Sequence, residues 1–158
     1  MAEIANLRAE EIMSQDVPTI APQASLSAIL QKLLISESPC VVVVDEEQRP
    51  LGVVTERDLL PLAMKGRYPP GAALRLVLQD EEHVLDFLQE IRKASASTAR
   101  QIMTSPVRCV DADMNVADVA ATMEAYDFRQ LPVTRDGRVI GIITRRLLVG
   151  TIGNFRAS

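Results

Sequence analysis

The chemistry this chain can do is concentrated where a hydroxyl and a carboxylate stand three residues apart. In Gly52-Val53-Val54-Thr55-Glu56-Arg57-Asp58 they follow directly on a short apolar run. At a helix start, that spacing lets Thr55 cap the first turn while Asp58 returns a bond, an approximate capping box. The N–H groups of such a turn also offer a seat for an anion. Gly141-Ile142-Ile143-Thr144-Arg145-Arg146-Leu147 repeats the pattern with Leu147 where the carboxylate stood, and leucine can neither cap nor accept a hydrogen bond. Small cationic groups, Arg145 with Arg146 and Arg135 with Arg138, are too few for a duplex and ample for one phosphate group.

Other reactive side chains are sparse. Cys40 and Cys109 stand alone, outside any paired metal motif. Cys40 reads as a buried, inert thiol in preference to a redox sensor. His83, the single histidine, reads as solvated at the polar start of a helix. With no nucleophile–base pair, no metal cluster and no Walker-type glycine loop, an enzyme is disfavoured. Slow nucleotide hydrolysis at Asp58 would be its strongest form. The net charge of −4 argues against a nucleic-acid surface. No run reaches the ~18 to 20 apolar residues that span a bilayer, and MAEIANLRAEE is acidic and helical, unlike a signal peptide. The expectation is a soluble cytoplasmic protein that needs no metal or cofactor and contacts neither membrane nor nucleic acid.

The elements that must position Thr55 and Asp58 occur twice. Leu7 to Met13 returns as Ser97 to Met103, a shift of ninety, and Gly52 to Leu60 returns as Gly141 to Val149, a shift of eighty-nine. Two copies of one structural unit follow, and 158 residues with 47% hydrophobic content give them an aliphatic core. Each copy opens with a helical turn ending in Ile-Met, then a short extended run. Ser25 and Asn115 read as N-caps. Behind them stand Leu26, Ile29, Leu30, Leu33 and Leu34 in one copy, and Val116, Val119, Ala120 and Met123 in the other. Val41 to Val44 is too uniformly apolar to alternate, a strand buried on both faces; Leu131-Pro132-Val133 is its counterpart. Asp45 to Gln48 and Asp136-Gly137 are turn signals, the second favouring a tight hairpin. The unit is strand, helix, strand, strand, helix, a small mixed sheet covered by helices in an α/β (α+β) class.

The order Ile-Met-(Ser/Thr), N-capped helix, Leu-Pro-Val, acidic turn, Gly-φ-φ-Thr-x-x-(Asp) resembles a CBS domain, and two in tandem resemble a Bateman module. The boundaries read as 7–60 for the first domain and 97–150 for the second. Residues 61–96 form a connector with one amphipathic helix beginning at Asp80, and 151–158 a C-terminal tail. The connector helix reads as packed rather than as a partner-docking surface. The resemblance implies a pseudo-twofold pair, packed head to head, that senses adenosyl compounds such as AMP, ADP, ATP, S-adenosylmethionine or NAD.

The resemblance also implies which residues bind. Thr55 and Asp58 would hold ribose hydroxyls, a task that suits a carboxylate because charge-assisted bonds are the strong ones. The site would be completed by Pro106, Val107 and Arg108, with the backbone of Val107 and Arg108 reading the adenine edge, and by Arg129, Gln130, Leu131 and Pro132. Leu131 and Pro132 would flank the base. Arg129 would meet phosphate with its planar fork, or be only a surface arginine. A second, degenerate site would join Thr144 with Asp16, Val17 and Pro18 and with Ser38, Pro39, Cys40 and Val41. Arg145 and Arg146 are its only compensating cations.

Three functions compete on these residues. The first is a regulatory module binding an adenosyl nucleotide mainly through Thr55 and Asp58. Both copies and the connector fill nearly the whole chain, so regulation would act in trans on an effector protein or through homodimer geometry. The second is a ligand-free dimeric interaction protein in which Asp58 serves only as a cap. The third, an enzyme, lacks supporting residues.

Overall fold

The structure, a computed structural model, describes Ile4, residues 6–59 and residues 98–156. The expected connector helix and His83 lie outside the described residues. In chain order the elements are α1 (Ala9–Ile12), β1 (Thr19–Ile20), α2 (Leu26–Ile35), β2 (Cys40–Val44), β3 (Pro50–Thr55), α3 (Ala99–Ile102), β4 (Val110–Asp111), α4 (Val116–Ala125), β5 (Gln130–Arg135), β6 (Arg138–Thr144) and α5 (Arg145–Arg156). A helical turn at 56–59 follows β3. Each repeat therefore runs strand, helix, strand, strand, helix. Helix α5 continues into the segment read as a tail.

The contacts gather into two compact units. A terminal unit holds Met1–Val17, Glu47–Arg49 and Arg108–Ser158, and a middle unit holds Pro18–Glu46 and Pro50–Val107.

In the middle unit the sheet order is β1-β2-β3. The first pair is parallel (Thr19 opposite Val42) and the second antiparallel (Cys40 opposite Thr55). All five residues of β2 are buried, as its unbroken valine run requires. Helix α2 starts where the Ser25 hydroxyl accepts from the Ala28 N–H at 3.2 Å. Leu26, Ile29 and Leu30 then pack with Val41, Val43 and Val54. Leu34, expected on this face, is instead 44% exposed. Positions 26, 29, 30 and 33 already fill the stripe that faces the sheet, and position 34 falls at its edge.

The terminal unit repeats this plan in the order β4-β5-β6. Asn115 caps α4 by accepting from the Asp118 N–H at 2.9 Å. Val116, Val119 and Met123 pack with Val110, Leu131, Val133 and Ile143. The β5–β6 hairpin turns through Asp136 (φ 53°) and Gly137 (φ 77°), two left-handed residues in succession, which the Asp-Gly pair supplies.

The short leading helices trade places. Helix α1, from the first repeat, joins the terminal unit: Ala9 is fully buried in its core, and Ser14 and Ile142 exchange backbone hydrogen bonds of 2.9 Å. Helix α3, from the second repeat, joins the middle unit: Ala99 is fully buried there, and Thr104 pairs with Val53 at 2.9 and 3.1 Å. This close approach explains a motif glycine in each repeat. A Cβ on Gly52 would lie 2.6 Å from Met103 Sδ and 2.9 Å from the Thr104 carbonyl oxygen. On Gly141 it would lie 2.8 Å from the Ser14 carbonyl oxygen. Only glycine fits against a backbone this near.

Candidate functional site

Asp58 is the centre of a hydrogen-bonded knot in the middle unit. Strand β3 ends at Thr55, the chain turns into residues 56–59, and Asp58 comes back against the strand end. The Thr55 N–H donates to Asp58 Oδ2 at 2.8 Å, one arm of the expected capping box. The Thr55 hydroxyl donates to the same oxygen at 3.3 Å. On the other side, the Thr104 hydroxyl donates to Oδ1 at 3.0 Å. Thr104 reaches that place because its backbone is paired to Val53. Thr55 and Asp58 are partly buried, while Thr104 is exposed. The knot therefore lies at the edge of its unit, open to solvent on one side.

The matching place in the terminal unit is built differently. Thr144 again ends a strand, but its hydroxyl accepts from the Leu147 N–H at 3.1 Å, the opposite arm of the box. Ser14, in the position of Thr104, uses its hydroxyl to accept from the Asp16 N–H at 3.2 Å. The two repeats thus keep complementary halves of one cap, and only the first carries an anion there.

The other residues singled out in the sequence are divided between the units. Val107, partly buried, belongs to the middle unit. Arg108 is exposed in the terminal unit, its guanidinium 3.7 Å from the centre of the Tyr126 ring, a cation–π contact. That ring stacks in turn on Phe128, with centroids 5.9 Å apart. Arg129 is exposed and carries no ion pair among the described residues. Gln130 is partly buried at the start of β5. Leu131 is 1% exposed and belongs to the core, and Pro132 is buried, so both offer a ligand only backbone atoms. Of the residues read as a degenerate site, Val17 and Thr144 are partly buried in the terminal unit and Pro18 in the middle unit. Cys40 and Val41 are fully buried at the start of β2. Arg145, weighed as a substitute cation, is already held by Asp127 at 3.2 Å and by the Phe128 carbonyl at 2.9 Å.

Burial pushes the Cys40 thiol up to about 12, an effect opposed by its hydrogen bond with Ser38. Burial, reinforced by the Asp111 carboxylate, raises Cys109 to about 11. Neither is poised as a thiolate nucleophile at neutral pH. Among the described residues no group of histidine, cysteine and carboxylate side chains could hold a metal ion, and no helix is long and apolar enough to cross a membrane. A hollow of about 440 Å³ in the terminal unit is lined by Glu10, Asp111, Asp113, Thr134, Arg135 and Asp136. Sequence reasoning missed it, because Glu10 meets Arg135 only through the exchange of leading helices.

The sequence matches the CBS domain family model over residues 9–65 and again over 99–153. The chain belongs to the CBS domain family. An uncharacterized protein of Methanocaldococcus jannaschii is 30% identical over 146 residues, which cover 92% of this chain and 32% of that relative. The chain spans no more than 57% of two further archaeal relatives. Among solved structures, the CBS domain of a membrane protein from Sphaerobacter thermophilus matches with a TM-score of 0.72 at 24% identity, over 94% of this chain and 90% of that one. The CBS-domain protein CBSX2, solved in complex with AMP, matches with a TM-score of 0.69 at 24% identity, over 94% and 98%. These likenesses carry the fold: a tandem CBS pair.

Proposed function

We propose that this CBS pair is a regulatory module that binds an adenosyl nucleotide, with Thr55 and Asp58 holding the ribose. The family pattern adds the backbone of Val107 and Arg108, the Arg129 guanidinium, and Gln130, Leu131 and Pro132 beside the base, the last two through backbone atoms because their side chains are buried. Regulation acts on a protein partner or through the geometry of a homodimer, in the cytoplasm. The observation that carries this reading is the Asp58 carboxylate, an anion fixed at a solvent-facing edge beside a threonine hydroxyl. The AMP held by CBSX2, a protein of the same fold, supports the ligand class. The set of groups suits binding and offers no nucleophile–base pair for turnover. The place built on Thr144 and Leu147 lacks the anion and is read as degenerate.

A second reading has its own observation. Three donors inside the middle unit already engage Asp58, so the residue has a structural task without any ligand. In that case the pair is a ligand-free interaction protein.

Isothermal titration of nucleotide-stripped protein with AMP, ADP, ATP, S-adenosylmethionine and NADH separates the two. Saturable binding near one ligand per chain, weakened at least about tenfold in Asp58→Asn, is the expected result. Absence of heat with all five compounds would favour the interaction protein.

A further inference from the structure

We infer that Thr104 is a positioning residue for the ligand, acting through Asp58; this inference rests on the proposed nucleotide reading. A carboxylate offers about four lone-pair sites, two on each oxygen. In the structure three are taken: the Thr55 N–H and hydroxyl lie on Oδ2, and the Thr104 hydroxyl on Oδ1. A vicinal diol needs two acceptor sites, so one of these donors must yield. The Thr55 hydroxyl is the one that does. Its bond is 3.3 Å against 2.8 and 3.0 Å for the others, well beyond the ~2.7 to 2.8 Å usual for O–H···O bonds, and a hydroxyl rotates freely.

After it turns toward the ligand, one donor remains on each oxygen, the Thr55 N–H on Oδ2 and Thr104 on Oδ1. Those two fix the carboxylate plane from opposite sides and leave one open lone pair on each oxygen for the diol. The tie also brings together residues 46 apart in sequence, so the diol site is complete only when the Met103-Thr104 segment is docked on β3. The terminal unit shows the contrast: Ser14 stands in the place of Thr104, with Leu147 in the place of Asp58, and its hydroxyl serves its own loop.

The test is a ribo-against-deoxy comparison. AMP, ADP and ATP and their 2′-deoxy forms are titrated into wild type, Thr104→Val and Thr104→Ser, after thermal unfolding shows each variant folded. Wild type should prefer the ribo form. Thr104→Val should bind the ribo form about tenfold more weakly and the deoxy form nearly as wild type does, so that the preference collapses. Thr104→Ser, which keeps the hydroxyl, should restore the preference; if Thr104→Val fails to fold, loss of the preference in Thr104→Ser overturns the inference on its own. An unchanged ribo-to-deoxy ratio in Thr104→Val, or equal weakening of both forms, would overturn the positioning role and leave nucleotide binding standing. Absence of binding by wild type to all six compounds, and to S-adenosylmethionine and NADH as well, would overturn both.

Discussion

Asp58 illustrates how one side chain can serve stability and recognition together. A helix cap alone is worth about 1 kcal/mol. Hydrogen bonds to a charged group contribute about 1.5–3 kcal/mol, and Asp58 accepts from Thr104 as well as from Thr55. Asp58→Ala should therefore destabilise the ligand-free protein by about 2 kcal/mol, read as a lower urea midpoint without nucleotide. A loss below about 0.5 kcal/mol would mean the knot is not formed in solution. Cys40 sets a second residue-scale expectation. Its thiol is raised from 9.0 to about 12 by burial, so the folded state holds a proton that the unfolded chain gives up above about pH 9. Its contribution is intact below pH 9 and is lost progressively from pH 9 toward 12. Wild type should lose more stability between pH 8 and 10.5 than Cys40→Ala does; equal losses would sink the assignment. The cap spacing of Thr55 and Asp58 was legible because it is local. Thr104 was not, since a partner 46 residues away leaves no mark at either position.

Secondary structure was read from signals that act over a few residues. Ser25 and Asn115 mark where α2 and α4 begin because their side chains meet the third N–H after them. The Asp136-Gly137 pair marks its hairpin because both residues tolerate positive φ. The unbroken valines of β2 announced a strand buried throughout. Leu34 escaped this reading: helical spacing puts it beside the apolar stripe, and the width of the sheet contact decides that it stays outside. The function of Gly52 and Gly141 also escaped it. Their recurrence in both copies, together with the recurring Met13 and Met103, was the available signal. Gly52→Ala and Gly141→Ala should each destabilise by about 1–3 kcal/mol, because the added methyl meets backbone oxygen and a packed sulfur. Chemical denaturation of each variant checks this. Losses of only a few tenths of a kcal/mol would show that the Met-Ser and Met-Thr segments yield.

At the scale of the whole molecule, the compact units and the sequence repeats do not coincide. Deleting residues 1–17 takes α1 from the first repeat, yet the damage belongs to the terminal unit, where the Ile142 N–H loses the Ser14 carbonyl and the Val116 N–H loses that of Leu7. Hydrogen exchange should accelerate at Ile142 and Val116 and remain slow at Val42, whose partner Pro18 is retained. Faster exchange at Val42 with Ile142 unchanged would refute the division into these units. The same interleaving sets an order of events during synthesis. Everything the middle unit needs is contiguous apart from Glu47–Arg49 and is complete once residue 107 has left the ribosome. Ala9 buries against Val110, made 101 residues later, a wait of about 5–20 s at ~5–20 residues per second. For that interval α1 has its own repeat beside it and no core to enter. A helix made among the first is among the last to find its place.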